Sequence, residues 1–96
     1  MGLKEGGKLL KIAICDDEKM FCDSAEGMLK LYMEEKAMPF QADVFNIPSE
    51  LLDMTEKGTI YDIYLLDIYM PGVTGMSIAT ELRSRGVKSP IIFLTS

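Results

Sequence analysis

At 96 residues the chain has room for one hydrophobic core. Hydrophobic residues make up 48% and charged residues 26%, a globular balance that excludes a disordered segment. The formal charge of −5 leaves no basic stripe to track phosphates, so direct nucleic-acid binding by this segment is not expected, and no apolar run reaches the length of a membrane span.

Residues 1–7 are glycine-rich and charged and read as a flexible leader. Residues 9–15 form an apolar strand that runs straight into Asp16-Asp17. From Glu18 to about Lys36, Phe21, Ala25, Met28, Leu29 and Tyr32 recur at helical spacing, which predicts one apolar helix face over that stretch. A short second strand follows over residues 38–45, with Phe40, Ala42 and Val44 alternating against Gln41 and Asp43. Asn46 reads as the N-cap of a helix through Glu56, with Pro48 in its first turn and Gly58 as its stop.

The third strand covers residues 60–67 and ends on Asp67. Beyond it come Met70-Pro71-Gly72 and Gly75, a loop whose glycines allow close backbone approach. A third helix is predicted from Thr74 to Arg85, with Ile78, Ala79 and Leu82 buried and Gly86 at its end. Residues 90–94 make a fourth strand, after which Thr95-Ser96 close the sequence. Strands alternating with helices imply right-handed βαβ units on a parallel sheet, hence an α/β fold.

Cys15 falls in the first strand and Cys22 in the helix after it, so both read as reduced thiols. Free cysteines without a secretory leader suggest a cytoplasmic setting. Each acid has an ordinary reading: Asp16-Asp17 as a helix cap, Asp67 as a turn former. Their order argues for a site. In an open parallel sheet, ligands bind outside the carboxyl ends of the strands. Two neighbouring strands ending in aspartate gather three carboxylates there, and such crowding is usually relieved by a hard cation such as Mg²⁺.

Three stretches then carry a likeness: Asp16-Asp17-Glu18, Leu65-Leu66-Asp67-Ile68-Tyr69-Met70-Pro71-Gly72 with Gly75 beyond, and Ile91-Ile92-Phe93-Leu94-Thr95-Ser96. On these, residues 9–96 resemble the receiver domain of two-component response regulators. The phrasing around Asp67 looks most like regulators with a LytTR-type DNA-binding domain. The resemblance implies a flavodoxin-like, doubly wound parallel sheet of strand order 2-1-3-4-5 and a cytoplasmic signalling switch rather than a turnover enzyme. Asp67 would accept a phosphoryl group from a sensor histidine kinase or phosphotransfer protein. Asp17 would bind Mg²⁺ directly and Asp16 through water, with Asp67 and the backbone carbonyl of Tyr69 completing the metal's protein ligands. Thr95 would contact the phosphoryl group and report it, controlling an output such as transcription.

The family's fifth strand, its terminal lysine and its fifth helix have no counterpart here, and Lys88 sits on the wrong element to replace that lysine. Residues 8–96 are therefore expected to be a receiver lacking its final strand and helix. Residues 91–94 would then form an apolar sheet edge that favours homodimeric or edge association. The competing reading is a degenerate receiver acting as a non-phosphorylated interaction module. A haloacid-dehalogenase-type phosphatase would need a second aspartate where Tyr69 stands, and no phosphate-binding P-loop is present.

Overall fold

The computed structural model describes residues 9–94. Its strands and helices are β1 (Leu10–Cys15), α1 (Lys19–Glu35), β2 (Phe40–Phe45), α2 (Pro48–Glu56), β3 (Ile63–Asp67), β4 (Tyr69–Met70), β5 (Val73–Thr74), α3 (Gly75–Ser84) and β6 (Ile91–Leu94). Four strands form one sheet in the order β2-β1-β3-β6, and β4 and β5 form a small separate antiparallel pair. All pairings in the large sheet are parallel. With β6 counted as the fourth long strand, this is the expected doubly wound, flavodoxin-like arrangement.

Side chains along the central strands alternate between two hydrophobic layers, as the two-residue period of a strand requires. Ile12, Ile14 and Leu65 face α1, where they meet Cys22 and Met33. Ala13, Cys15, Tyr64 and Leu66 face the other side, where Leu51 of α2 and Ile78 and Leu82 of α3 close over them. Burial on both faces explains why β1 and β3 read as apolar runs rather than as alternating strands.

α1 seats itself differently from its predicted face. The buried seam runs through Cys22 and Met33 with Ala25 and Leu29 half-buried beside them, while Phe21, Met28 and Tyr32 are exposed. In β2, Phe40 and Ala42 pack under α1, but Val44 is exposed and Asp43 accepts a 2.7 Å hydrogen bond from the Tyr61 hydroxyl. β3 starts at Ile63 rather than at Ile60. At Asp62 the N–H still donates to the Lys11 carbonyl at 2.7 Å, but the Lys11 N–H turns to the Asp62 side chain at 2.8 Å, and Ile60 is exposed.

The helix ends follow local chemistry. Thr74 caps α3 by accepting from the Ser77 N–H at 3.1 Å. Gly58 and Gly86 adopt positive φ just past α2 and α3, and the next residue's N–H reaches back to Met54 and Leu82 respectively, the Schellman closure. α2 has Pro48 in its first turn as expected, but its N-cap is Ile47, which has no capping side chain. Asn46 is otherwise engaged, with consequences for the site below.

Candidate functional site

β1 and β3 are adjacent and parallel, with Cys15 opposite Leu66, so the residues that follow each strand emerge at the same end of the sheet. Asp16 and Asp17 follow β1, and Asp67 is the last residue of β3. One carboxylate oxygen from each of the three lies within 4.8 Å of the others. Asp16 is 3% and Asp67 5% exposed, the only buried charged residues among those described, while Asp17 faces solvent.

The backbone fixes these side chains. The Asp16 N–H donates to the Phe45 carbonyl at 3.1 Å, and its Oδ1 accepts from the Glu18 N–H at 2.9 Å. Its carbonyl oxygen accepts from Asn46 Nδ2 at 2.9 Å and from Cys22 Sγ at 3.4 Å. Asp67 Oδ1 accepts a long bond, 3.4 Å, from the Tyr69 N–H, so part of the turn-former reading holds. The helix-cap reading of Asp16 does not, since the N-cap of α1 is Glu18 and no side chain caps it. Gly75 completes the packing, its N–H donating to the Ile68 carbonyl at 2.8 Å.

Electrostatics mark the site as strained in charge. Burial pushes the Asp16 carboxyl above the ordinary carboxylate range; the Glu18 N–H opposes that shift, and the negative Asp67 and Asp17 reinforce it. Among the described residues the one ion pair joins Arg85 to Glu81. The donor set therefore fits a small hard cation. Its side-chain donors are all carboxylate oxygens, crowded closely enough that an ion with oxygen ligands at about 2.0–2.1 Å would draw them together and relieve their repulsion. Burial also pushes the Cys15 thiol up to about 12 and raises Cys22, which disfavours the thiolate form of both buried cysteines. A cleft bounded by Phe21, Ser24, Ala25, Met28 and Leu94 opens onto Asp16 and Asp67.

Of the residues singled out in the sequence, Asp16, Asp17 and Asp67 come together as expected. Tyr69 lies beside Asp67 through its backbone N–H, with its side chain 77% exposed. Thr95 lies outside the described residues, as does the leader. β6 nevertheless runs beside the site, with Leu94 opposite Asp67 and its carbonyl accepting from the Ile68 N–H at 3.2 Å. The residues missed in the sequence are Asn46 and Cys22, which contact Asp16 across 30 and 6 positions. No spacing signal ties Asn46 to an aspartate so far away.

Comparison with known proteins agrees with this geometry. Residues 12–96 match the response regulator receiver domain family. The chain is 39% identical over 57 residues to the transcriptional regulatory protein PcoR of Escherichia coli, covering 59% of this chain and 25% of that protein. It is 35% identical over 85 residues to the regulatory protein VanR of Enterococcus faecium, covering 88% of this chain and 33% of VanR. The chain thus spans a third or less of these curated relatives. Among solved structures it is similar to the response regulator TrrA of Thermotoga maritima in complex with Mg²⁺ and BeF, at a TM-score of 0.66 and 31% identity, covering 91% of this chain and 70% of that one. Among the described residues no helix is long and apolar enough to cross a membrane.

Proposed function

The chain belongs to the response regulator receiver domains, phosphoacceptor switches of two-component signalling, and from that premise we propose that Asp67 is its phosphoacceptor. The observation that carries the assignment is the buried Asp67 carboxylate at the end of β3, within 4.8 Å of Asp16 and Asp17. An Asp67 oxygen attacks the phosphorus of a phosphohistidine on a histidine kinase or phosphotransfer protein. The new O–P bond forms as the P–N bond breaks, and the imidazole nitrogen leaves with the electron pair. The product is a labile acyl phosphate, suited to a signal that must reset.

Asp16, Asp17, Asp67 and the Tyr69 carbonyl would hold Mg²⁺, Asp17 directly and Asp16 through water. The ion, when bound, neutralises charge on the transferring group, and the complexed Mg²⁺ of the Thermotoga relative supports that choice of metal. The phosphoryl group adds about −1.5 to −2 charge beside two further carboxylates, so transfer without a cation is strongly opposed. Thr95, which follows Leu94, is assigned the phosphoryl contact that reports the modification. The output is transcriptional by analogy with PcoR. Intact mass after incubation with acetyl phosphate is the test. A Mg²⁺-dependent phosphoryl adduct that Asp67→Asn abolishes supports the assignment; an adduct surviving Asp67→Asn refutes it.

A further inference from the structure

Asp16 is held at both of its backbone groups by consecutive residues of another strand end. Its N–H donates to the Phe45 carbonyl at 3.1 Å, and its carbonyl accepts from the Asn46 amide at 2.9 Å. Cys22 of α1 sends its thiol to the same carbonyl at 3.4 Å, and Asn46 Nδ2 lies 3.5 Å from that sulfur. Three elements therefore meet at one oxygen: the end of β1, the first turn of α1 and the β2–α2 junction. That oxygen belongs to the peptide joining Asp16 to Asp17. The plane of this peptide sets the directions in which both carboxylates leave the backbone.

We infer that Asn46 is a positioning residue for the acidic site: by fixing the Asp16–Asp17 peptide it holds the two carboxylates converged on Asp67 and so sets the affinity for the divalent cation. The inference rests on the proposed Mg²⁺ site and goes beyond it, since Asn46 itself touches no ligand oxygen. Three observations separate this role from that of an ordinary exposed amide. Asn46 stands one residue before Ile47, the N-cap of α2, and its side chain donates to Asp16 while that helix goes without a side-chain cap. Its amide donates across 30 positions to the one carbonyl between the paired acids. The clamp also carries no charge, so it orders the acids without competing with a cation for them. Freed from Asn46, the peptide is left with only the weak thiol donor of Cys22. The Glu18 N–H still holds Asp16 Oδ1, but the Asp16–Asp17 peptide, and with it the direction of Asp17, must then be ordered at the moment of binding, which lowers affinity without touching a ligand.

The test is calorimetric titration of MgCl₂ into the metal-stripped full chain, for the parent, Asn46→Ala and Asn46→Asp, with far-UV melts in EDTA alongside. Asn46→Asp keeps the shape but loses the donor and sets a carboxylate against a carbonyl. Both variants are expected to bind Mg²⁺ roughly tenfold more weakly, the lower end of losses seen when partners behind metal ligands are removed, while their melts in EDTA stay near that of the parent. Parent-like affinity in both variants overturns the inference and leaves the Mg²⁺ site standing. Weakening accompanied by an equal loss of the folded signal in EDTA also overturns it, since Asn46 would then be merely structural. A parent that binds no Mg²⁺ refutes the underlying site, and the inference with it.

Discussion

Gly75 lies directly against the backbone of Asp67: a Cβ placed on Gly75 would stand inside contact distance of the Asp67 carbonyl oxygen and carbon. The first residue of α3 thus forms the wall behind the acidic site, and its N–H ties it to Ile68 at 2.8 Å. Here glycine is required by space rather than by φ. Gly72, in the same loop, has open space around its Cα and is set by its φ of +79° instead.

Gly75→Ala should therefore do more damage than its helix propensity suggests. Alanine favours helix by about 1 kcal/mol over glycine, yet the methyl has only backbone to push against. Net destabilisation of about 1–3 kcal/mol is expected from overpacking, read as a lower urea midpoint. Because the displaced atoms belong to Asp67, the acetyl phosphate adduct should fall as well. An unchanged midpoint would show that the loop after β3 yields freely.

Asp67→Asn should stabilise the chain without metal and weaken it with metal. In EDTA, the substitution removes one charge from three crowded carboxylates while keeping an oxygen for the Tyr69 N–H. A higher urea midpoint in EDTA follows, since one of three mutually repelling carboxylates is gone. In Mg²⁺ at a hundred times the dissociation constant, the parent gains about 2.7 kcal/mol by mass action and the variant far less. The two stability curves should cross as Mg²⁺ is raised. Parallel curves at all Mg²⁺ concentrations would mean that charge crowding is not what the cation relieves.

Alkaline stability should be governed by the tyrosines on the far side of the sheet. Burial raises the Tyr61 phenol, helped by its bond to Asp43 and that carboxylate's charge. Burial also raises Tyr64, against bonds from the Tyr61 N–H and with Thr55. Above the ordinary value of 10.0 the unfolded chain has lost these protons while the folded chain keeps them. Stability from each group is therefore complete below that pH and is lost as pH rises toward the folded value, by at most about 1.4 kcal/mol per pH unit per group. Cys15, pushed up to about 12 from 9.0, contributes in the same direction from a lower pH. Tyr61→Phe and Tyr64→Phe should each flatten the fall in urea midpoint above about pH 10. A fall of unchanged slope in both variants would assign alkaline unfolding to other groups.

How far the site was legible in the sequence depended on how local its determinants are. Asp16, Asp17 and Asp67 could be placed because strand ends are marked by the apolar runs before them, and a parallel sheet brings neighbouring ends together. The helix stops at Gly58 and Gly86 were equally local. Asn46 was read as a cap because Asn before Pro at a helix start has a local explanation; its actual partner lies 30 positions away, and no periodicity reports that. Asp43, polar and alternating with apolar neighbours, carries no local sign that the Tyr61 hydroxyl reaches it from beyond α2.

α1 illustrates the same limit, and its packing can be tested directly. The helix carries two apolar stripes side by side, Cys22, Ala25, Leu29 and Met33 in one, Phe21, Met28 and Tyr32 in the other. Helical periodicity fits both, so spacing alone could not choose between them. Contact with Ile12, Ile14 and Leu65 chooses the first. Met33 is 5% exposed and Met28 is 72% exposed, which makes a matched pair of truncations decisive. Met33→Ala should cost about 2–3 kcal/mol, toward the lower end for a buried methionine since one end of its site nears the surface. Met28→Ala should stay within about 0.5 kcal/mol, as exposed substitutions do, because the side chain leaves little apolar surface newly wet. Equal costs for the two, measured by urea unfolding, would place the buried seam between the stripes and return Met28 to the core that its spacing first suggested.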